Sequence, residues 1–293
     1  MATCDVCFRH CRLEEGEVGF CGARENREGV IRPANYGIVT SAALDPVEKK
    51  PLARFYPGRD VFSIGSYGCN LHCPFCQNAA ISMAKMGEDG TLRADLGKGE
   101  RSIDYTVWSP EEVAERALFY KARGNIGLAY TYNEPLVGYE FVRDTAKEVR
   151  ARGIKNILVT NGTATLDVLE EVLPYIDAMN IDLKTFQRAV YRELLGGELE
   201  AVKAFIERAA RSSHVEITTL AVTDMNDSLF EIREIAAFIA SLNGGKGREI
   251  PLHISRFFPA YHMTDRSATP PSRVLAMAKE ARKYLKYVYL GNM

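Results

Sequence analysis

The sequence has no cysteine after residue 76, no run of 18 or more apolar residues, no low-complexity segment and no excess of charge of either sign. Each absence closes a class of protein. Without a long apolar run, no transmembrane helix is expected. With 37 Lys and Arg against 38 Asp and Glu, the chain lacks the basic excess of a general nucleic-acid or acidic-membrane binder, so neither partner is expected. The start, Met1-Ala2-Thr3-Cys4, lacks the basic and apolar regions of a secretory leader, and a reducing, cytoplasmic location is the expectation. At 46% hydrophobic residues over 293 positions the chain can bury one large core, as a single α/β barrel of this length does.

What is present is concentrated near the start. Cys4, Cys7, Cys11 and Cys21 form one cluster, and Cys69, Cys73 and Cys76 form another with C-x3-C-x2-C spacing and Phe75 before its last member. An odd count and no secretory leader argue against a disulfide framework. A redox pair at Cys73 and Cys76 leaves Cys69 unused, and structural zinc needs a fourth ligand that His72, wedged between two others, is poorly placed to supply. Three thiolates instead hold three irons of a [4Fe–4S] cube and leave the fourth iron open to a substrate or cofactor. The N-terminal four make a complete ligand set, with Cys4 and Cys7 as a chelating pair and Cys21-Gly22 resembling a metal knuckle; structural zinc and an auxiliary [4Fe–4S] cluster both fit.

From residue 60 onward short apolar runs alternate with amphipathic ones, the pattern of βα units around a parallel sheet. Strands are predicted at 61–65, 126–131, 154–160, 178–183, 214–220, 250–255 and 287–290. Ser109-Pro110-Glu111-Glu112 reads as a capping serine, a proline at the first helical position and a glutamate at the third, opening a helix that stops at Gly124. Residues 227–242 carry Leu229, Ile232, Ile235, Ala236 and Ile239 at helical spacing and run into Asn243-Gly244-Gly245. Residues 86–107, rich in glycine and charge, read as an exposed insertion. Residues 1–59 are expected to form a small cysteine-rich, metal-stabilised subdomain, because so few apolar residues scarcely fold without a staple, and residues 60–293 the barrel.

In parallel βα barrels the working residues sit at the carboxyl ends of strands. There the sequence offers the cysteine loop, Tyr130-Thr131-Tyr132-Asn133-Glu134-Pro135, Thr160-Asn161-Gly162, Asn180-Ile181-Asp182-Leu183-Lys184 and His253-Ile254-Ser255-Arg256. Five polar strand ends, four of them from consecutive strands, point at one axis.

The cysteine loop at the end of the first strand of such a repeat resembles the radical S-adenosylmethionine (SAM) superfamily. The runs Gly68-Cys69-Asn70, 130–135, 180–184 and Ser255-Arg256-Phe257-Phe258-Pro259, with the N-terminal cysteines and Ala23-Arg24-Glu25-Asn26, further resemble the AmmeMemoRadiSam-system radical SAM enzymes, related to the pyruvate formate-lyase activating enzymes. The resemblance covers nearly the whole chain. It implies a partial (β/α)6, TIM-like barrel and a [4Fe–4S] cluster on Cys69, Cys73 and Cys76. It also implies reductive cleavage of SAM to a 5′-deoxyadenosyl radical that abstracts hydrogen from a substrate.

It further implies that Phe75, Asn133, Glu134, Asn161, Asp182, Lys184 and His253 contact SAM, with Glu134 on its amino group, Lys184 suited to its carboxylate and also a catalytic candidate, and His253 toward its ribose. Arg256 is suited to a substrate or a partner, and equally to the surface. The implied partners are a low-potential electron donor such as flavodoxin or ferredoxin, and AMMECR-domain and Memo-like proteins. Relatives continue past the Gly291-Asn292 position into a tail with another cysteine pair, which this chain, ending at Met293, does not carry, so no function of that tail is carried over. Two alternatives stand beside this reading. An activase that installs a glycyl radical on a partner enzyme predicts a protein radical on that partner, and a non-catalytic zinc or iron–sulfur scaffold predicts no 5′-deoxyadenosine.

Overall fold

The computed structural model describes residues 1–97 and 99–293. Its centre is an eight-stranded sheet in which every strand pairs with its neighbours in the chain. We number these strands β1 (Ser41–Pro46), β2 (Asp60–Gly65), β3 (Asn125–Tyr130), β4 (Lys155–Thr160), β5 (Ala178–Asp182), β6 (His214–Ala221), β7 (Leu252–Arg256) and β8 (Val288–Gly291). From β2 to β8 all pairings are parallel, and β1 adds an antiparallel edge to β2. Each of β2 to β7 is followed by helix before the next strand, which makes six strand–helix units and a closing seventh parallel strand. The sheet is open: β1 and β8 are its two edges and are not paired with each other.

The sequence explains this layering. Strands β3 to β6 are buried along nearly their whole length, as parallel strands covered on both faces must be. Ser109 caps the helix Pro110–Phe119, its hydroxyl accepting from the Glu112 N–H at 3.2 Å while the Glu112 carboxylate accepts from the Ser109 N–H at 2.7 Å. That helix turns its Val113, Ala114 and Ala117 to the sheet. The chain then leaves it through a 3-10 turn and Gly124 at φ 91°. The helix Leu229–Gly245 departs from helical geometry at Leu242, Asn243 and Gly244, where the expected glycine-rich stop lies.

Two regions differ from the sequence expectation. The boundary after residue 59 runs between two strands of one sheet, since β1 pairs along its length with β2. Residues 86–107 are not simply exposed. Residue 98 lies outside the described residues; of the others, Met86, Leu92–Asp95 and Glu100–Ser102 form with Lys85 a three-stranded antiparallel sheet, Thr106–Val107 pairs instead with Ile38–Val39, and alternation buries Leu92 and Ala94 against Tyr67 and Ala84 while Asp95 faces outward. Among the described residues no helix is long and apolar enough to cross a membrane.

Residues 50–54 close the amino-terminal end of the strands. Leu52 is fully buried, the Asn180 side chain donates to the Pro51 carbonyl at 2.8 Å, and the Glu216 carboxylate accepts the N–H groups of Ala53 and Arg54 at 2.9 and 2.7 Å. The opposite, carboxyl end is left for a site.

Candidate functional site

At that end lies a cavity of about 290 Å³. It is built from the loop after β2 (Cys69, Cys73, Phe75, Cys76), the loop after β3 (Tyr132, Asn133, Glu134), the end of β4 (Thr160, Asn161), and Asp182 and Lys184 at the end of β5. Every expected cofactor contact except His253 thus lines one space.

The cysteine loop is held by its neighbours. Asn133 accepts the Ser66 N–H at 3.0 Å and donates to the carbonyls of Tyr67 and Gly68 at 3.1 and 3.0 Å, so its amide clasps the chain just before Cys69. The Leu71 N–H and the Asn161 amide both point at the Cys69 sulfur, at 3.4 and 3.7 Å. Burial pushes the Cys73 thiol up to about 11, against the pull of Lys184, and raises Cys69 well above the ordinary thiol range with Glu134 adding to the shift. Thiols so placed are costly to ionise unless a metal replaces the proton. All seven cysteines are free, and among the described residues no three His, Cys, Asp or Glu side chains are drawn together around a single-ion position.

Glu134 is 2% exposed. Its Oε1 accepts the Thr160 hydroxyl at 2.7 Å and the Leu136 N–H at 3.1 Å, and its Oε2 accepts the Asn161 N–H at 2.7 Å. A carboxylate has about four acceptor positions, so one remains, on Oε2. Burial raises the group to about 7, and the three donors only partly offset it. Here an added donor or positive charge would find an acceptor waiting.

Asp182 and Lys184, two apart on an extended segment, turn to the same side and pair at 2.7 Å, and the Lys184 N–H donates to the Tyr191 hydroxyl. Burial alone would lower the Lys184 ammonium, but Asp182 and the Cys73 sulfur outweigh it and raise it. Lys184 thus offers a cation to an anionic ligand beside the cysteine loop.

His253 is placed elsewhere. It is 8% exposed, and its Nε2 lies 2.6 Å from Glu216, which also meets His214 at 2.9 Å. Strand alternation puts Ser255 in the cavity and His253 two residues deeper, in the plug at the amino-terminal end. Glu216, held by both histidines and two backbone N–H groups, falls to about 2 although burial opposes it. Arg256 also turns from the cavity, donating to the Thr269 carbonyl at 2.7 Å and packing over Phe258. Tyr132, which the sequence places in a strand-end run without a role of its own, lines the cavity at φ 74°, a left-handed conformation uncommon outside glycine. The Asp45 carboxylate and Lys50 hold it there, the Tyr132 hydroxyl donating to Asp45 at 2.8 Å.

The profile of the radical SAM superfamily matches residues 63–239, the span from β2 through most of the Leu229–Gly245 helix. The chain belongs to the radical SAM superfamily. It is therefore an enzyme of the radical SAM type that uses SAM, which removes the scaffold alternative. The chain is 40% identical over 293 residues, 99% of its own length and 81% of the relative's, to an uncharacterized protein of Methanocaldococcus jannaschii. It is 25% identical over 143 residues, 48% of this chain and 45% of the relative's, to the (2S)-3-sulfopropanediol dehydratase activating enzyme of Klebsiella oxytoca, so it spans about half the length of that enzyme. The structure of Streptococcus suis SuiB bound to S-adenosylmethionine shares the fold, with a TM-score of 0.54 and 14% identity over 77% of this chain and 48% of that one.

Proposed function

We propose that this radical SAM enzyme holds a [4Fe–4S] cluster on Cys69, Cys73 and Cys76, binds SAM in the cavity beside it, and serves an AmmeMemoRadiSam-type system. The observation that carries this reading is the convergence of the three cysteines with Glu134, Asn161, Asp182 and Lys184 on one space at the strand ends. Bound there, the cluster and SAM together supply a 5′-deoxyadenosyl radical for hydrogen abstraction.

The chain's own residues bind and orient. Glu134 offers its free acceptor position to the SAM amino group, Lys184 meets the carboxylate with Asp182 holding its ammonium in place, and Phe75 packs beside the cluster. Asn161 steadies Cys69, and Asn133 fixes the loop that carries it. The open sheet is read as a partial TIM-like barrel, the cysteine-bearing part of residues 1–59 ahead of β1 as a small subdomain, and the cytoplasm as the location. AMMECR-domain and Memo-like proteins are the proposed partners, with a flavodoxin or ferredoxin as electron donor. A glycyl-radical activase is the second reading, favoured by the activating-enzyme relative; mixing with the substrate enzyme and looking for a glycyl-radical EPR doublet distinguishes it.

The test is anaerobic reconstitution with iron and sulfide. The account expects about four irons per chain to be lost in the Cys69→Ala, Cys73→Ala, Cys76→Ala variant. Iron unaffected by the triple change would overturn it.

A further inference from the structure

Beneath the cysteine loop the first residues of the chain wrap around a second, smaller cavity. Cys4, Cys7, Cys11 and Cys21 all line it, together with Arg9 and Asn70. The loop that delivers them is tightly closed: the Cys4 N–H donates to the Cys11 carbonyl at 2.9 Å, and the His10 N–H to the Cys7 carbonyl at 3.2 Å. Gly22 follows Cys21 at φ 73°, and a Cβ there would stand 3.0 Å from the Ala84 carbonyl oxygen, so the turn at the fourth cysteine requires glycine. The loop is docked on the segment after β4, where Cys7 bridges to Ala164 and the Thr165 N–H donates to the Val6 carbonyl at 3.0 Å. Four cysteines from separate turns therefore line one void, none bridged to another, although among the described residues they are not drawn in around a single-ion position.

Arg9 sits between this void and the cysteine loop. Its guanidinium lies within electrostatic reach of Cys7, Cys11, Cys21 and Cys69. It donates from Nε to the Asn70 carbonyl at 2.8 Å and from a terminal nitrogen to the Gly196 carbonyl, and it lies over the Phe20 ring. Two further links join the sites. The Cys69 N–H donates to the Cys21 carbonyl at 3.2 Å, and the Asn70 side chain in the second cavity accepts from the Asn161 amide, which also faces the Cys69 sulfur. Desolvating a guanidinium among neutral thiols is unfavourable; among metal-bound thiolates it supplies the charge they lack.

We propose that Cys4, Cys7, Cys11 and Cys21 hold a second metal centre of the four-thiolate class, and that Arg9 is the cation it shares with Cys69. The four-thiolate centre stands on its own residues; the Arg9 half rests on the cluster proposed for Cys69, Cys73 and Cys76. Zinc and an iron–sulfur cluster share this thiolate chemistry, and elemental analysis separates them.

The experiment is a zinc and iron count on anaerobically purified protein carrying Cys69→Ala, Cys73→Ala and Cys76→Ala. About one zinc or about four irons per chain should remain, and adding Cys4→Ser and Cys7→Ser should remove them. If that combination does not fold, Cys11→Ser in the same background gives the same reading by a reduced metal-to-protein ratio. A triple-alanine protein that folds yet holds neither metal, or metal unchanged by the N-terminal substitutions, overturns the proposal. Iron that ignores the triple alanine change instead sinks the reading of the Cys69 site and leaves this count standing. For Arg9, an EPR-monitored redox titration of Arg9→Gln should show the midpoint of the Cys69 cluster moved to more negative potential, with Arg9→Lys restoring most of it. An unmoved midpoint in a folded Arg9→Gln protein overturns the shared-cation role.

Discussion

Replacing Glu134 with glutamine probes the site through one atom. The wild-type carboxylate spends three acceptor positions on Thr160, Leu136 and Asn161 and keeps one on Oε2. In Glu134→Gln one oxygen keeps two of those partners, and the amide NH2 is set against the Asn161 N–H, leaving no acceptor for the SAM amino group. Losing a buried, charge-assisted bond costs about 2–5 kcal/mol, so SAM binding should weaken by about 30-fold or more. A second signature comes from protonation. Burial holds the wild-type group at about 7, so the acceptor form falls from roughly ten elevenths at pH 8 to roughly one eleventh at pH 6, and affinity should fall roughly tenfold. The glutamine variant lacks that slope, and titration of SAM's own amino group, common to both proteins, cancels in the comparison. Equilibrium dialysis of SAM against both cluster-loaded proteins at pH 6, 7 and 8 measures this. A glutamine variant with wild-type affinity and wild-type slope would refute the reasoning.

Other perturbations read other parts of the molecule. Lys184→Ala should weaken SAM binding by about tenfold or more by removing the cation opposite the carboxylate, while Lys184→Arg should retain part of it, in the same dialysis assay. Asp45→Asn leaves Lys50, almost fully buried, without its anion and loosens Tyr132; a loss of about 3 kcal/mol in urea unfolding is expected, and none would show that the pair is dispensable. Gly65→Ala puts a Cβ 2.9–3.0 Å from Tyr132 and the Thr131 carbonyl, so a loss of about 1–3 kcal/mol and reduced SAM binding should appear together. Asp45 and Glu216 are both held at about 2, below their ordinary 3.8 and 4.5. A lowered carboxylate stabilises the fold above its unfolded value, so this contribution is present above pH 4.5 and disappears as pH falls toward 2, where thermal unfolding should drop steeply in wild type and less so in Glu216→Gln.

The apolar strands were legible because a parallel sheet covered on both faces needs near-continuous hydrophobic runs, as in Ile126 to Tyr130. The capping box at Ser109 was legible because it is a local code of four residues. Strand β1 was not: Ser41-Ala42-Ala43-Leu44-Asp45-Pro46 has neither alternation nor β-branched residues, and its pairing with β2 is a tertiary choice. The sheet within residues 86–107 was hidden by its glycines and charges, since among its strand residues only Leu92 and Ala94 are fully buried, with Met86 packed beside them. At the site, C-x3-C-x2-C spacing and polar strand ends marked the cavity. His253 misled because position along a strand does not give depth, and its partner Glu216 is 37 residues away. Tyr132 stood in a marked strand-end run, but its left-handed backbone carried no signal, because the ion pair that holds it comes from residues 45 and 50.

The central claim is that the cavity at the strand ends brings SAM to a reducible cluster on Cys69, Cys73 and Cys76. The most direct measurement is 5′-deoxyadenosine formed from SAM by the iron-loaded, dithionite-reduced protein, quantified by chromatography beside Cys73→Ala. The account predicts product from the wild type and none above background from the variant. No product from wild type with its full iron content, or equal product from both, would contradict it.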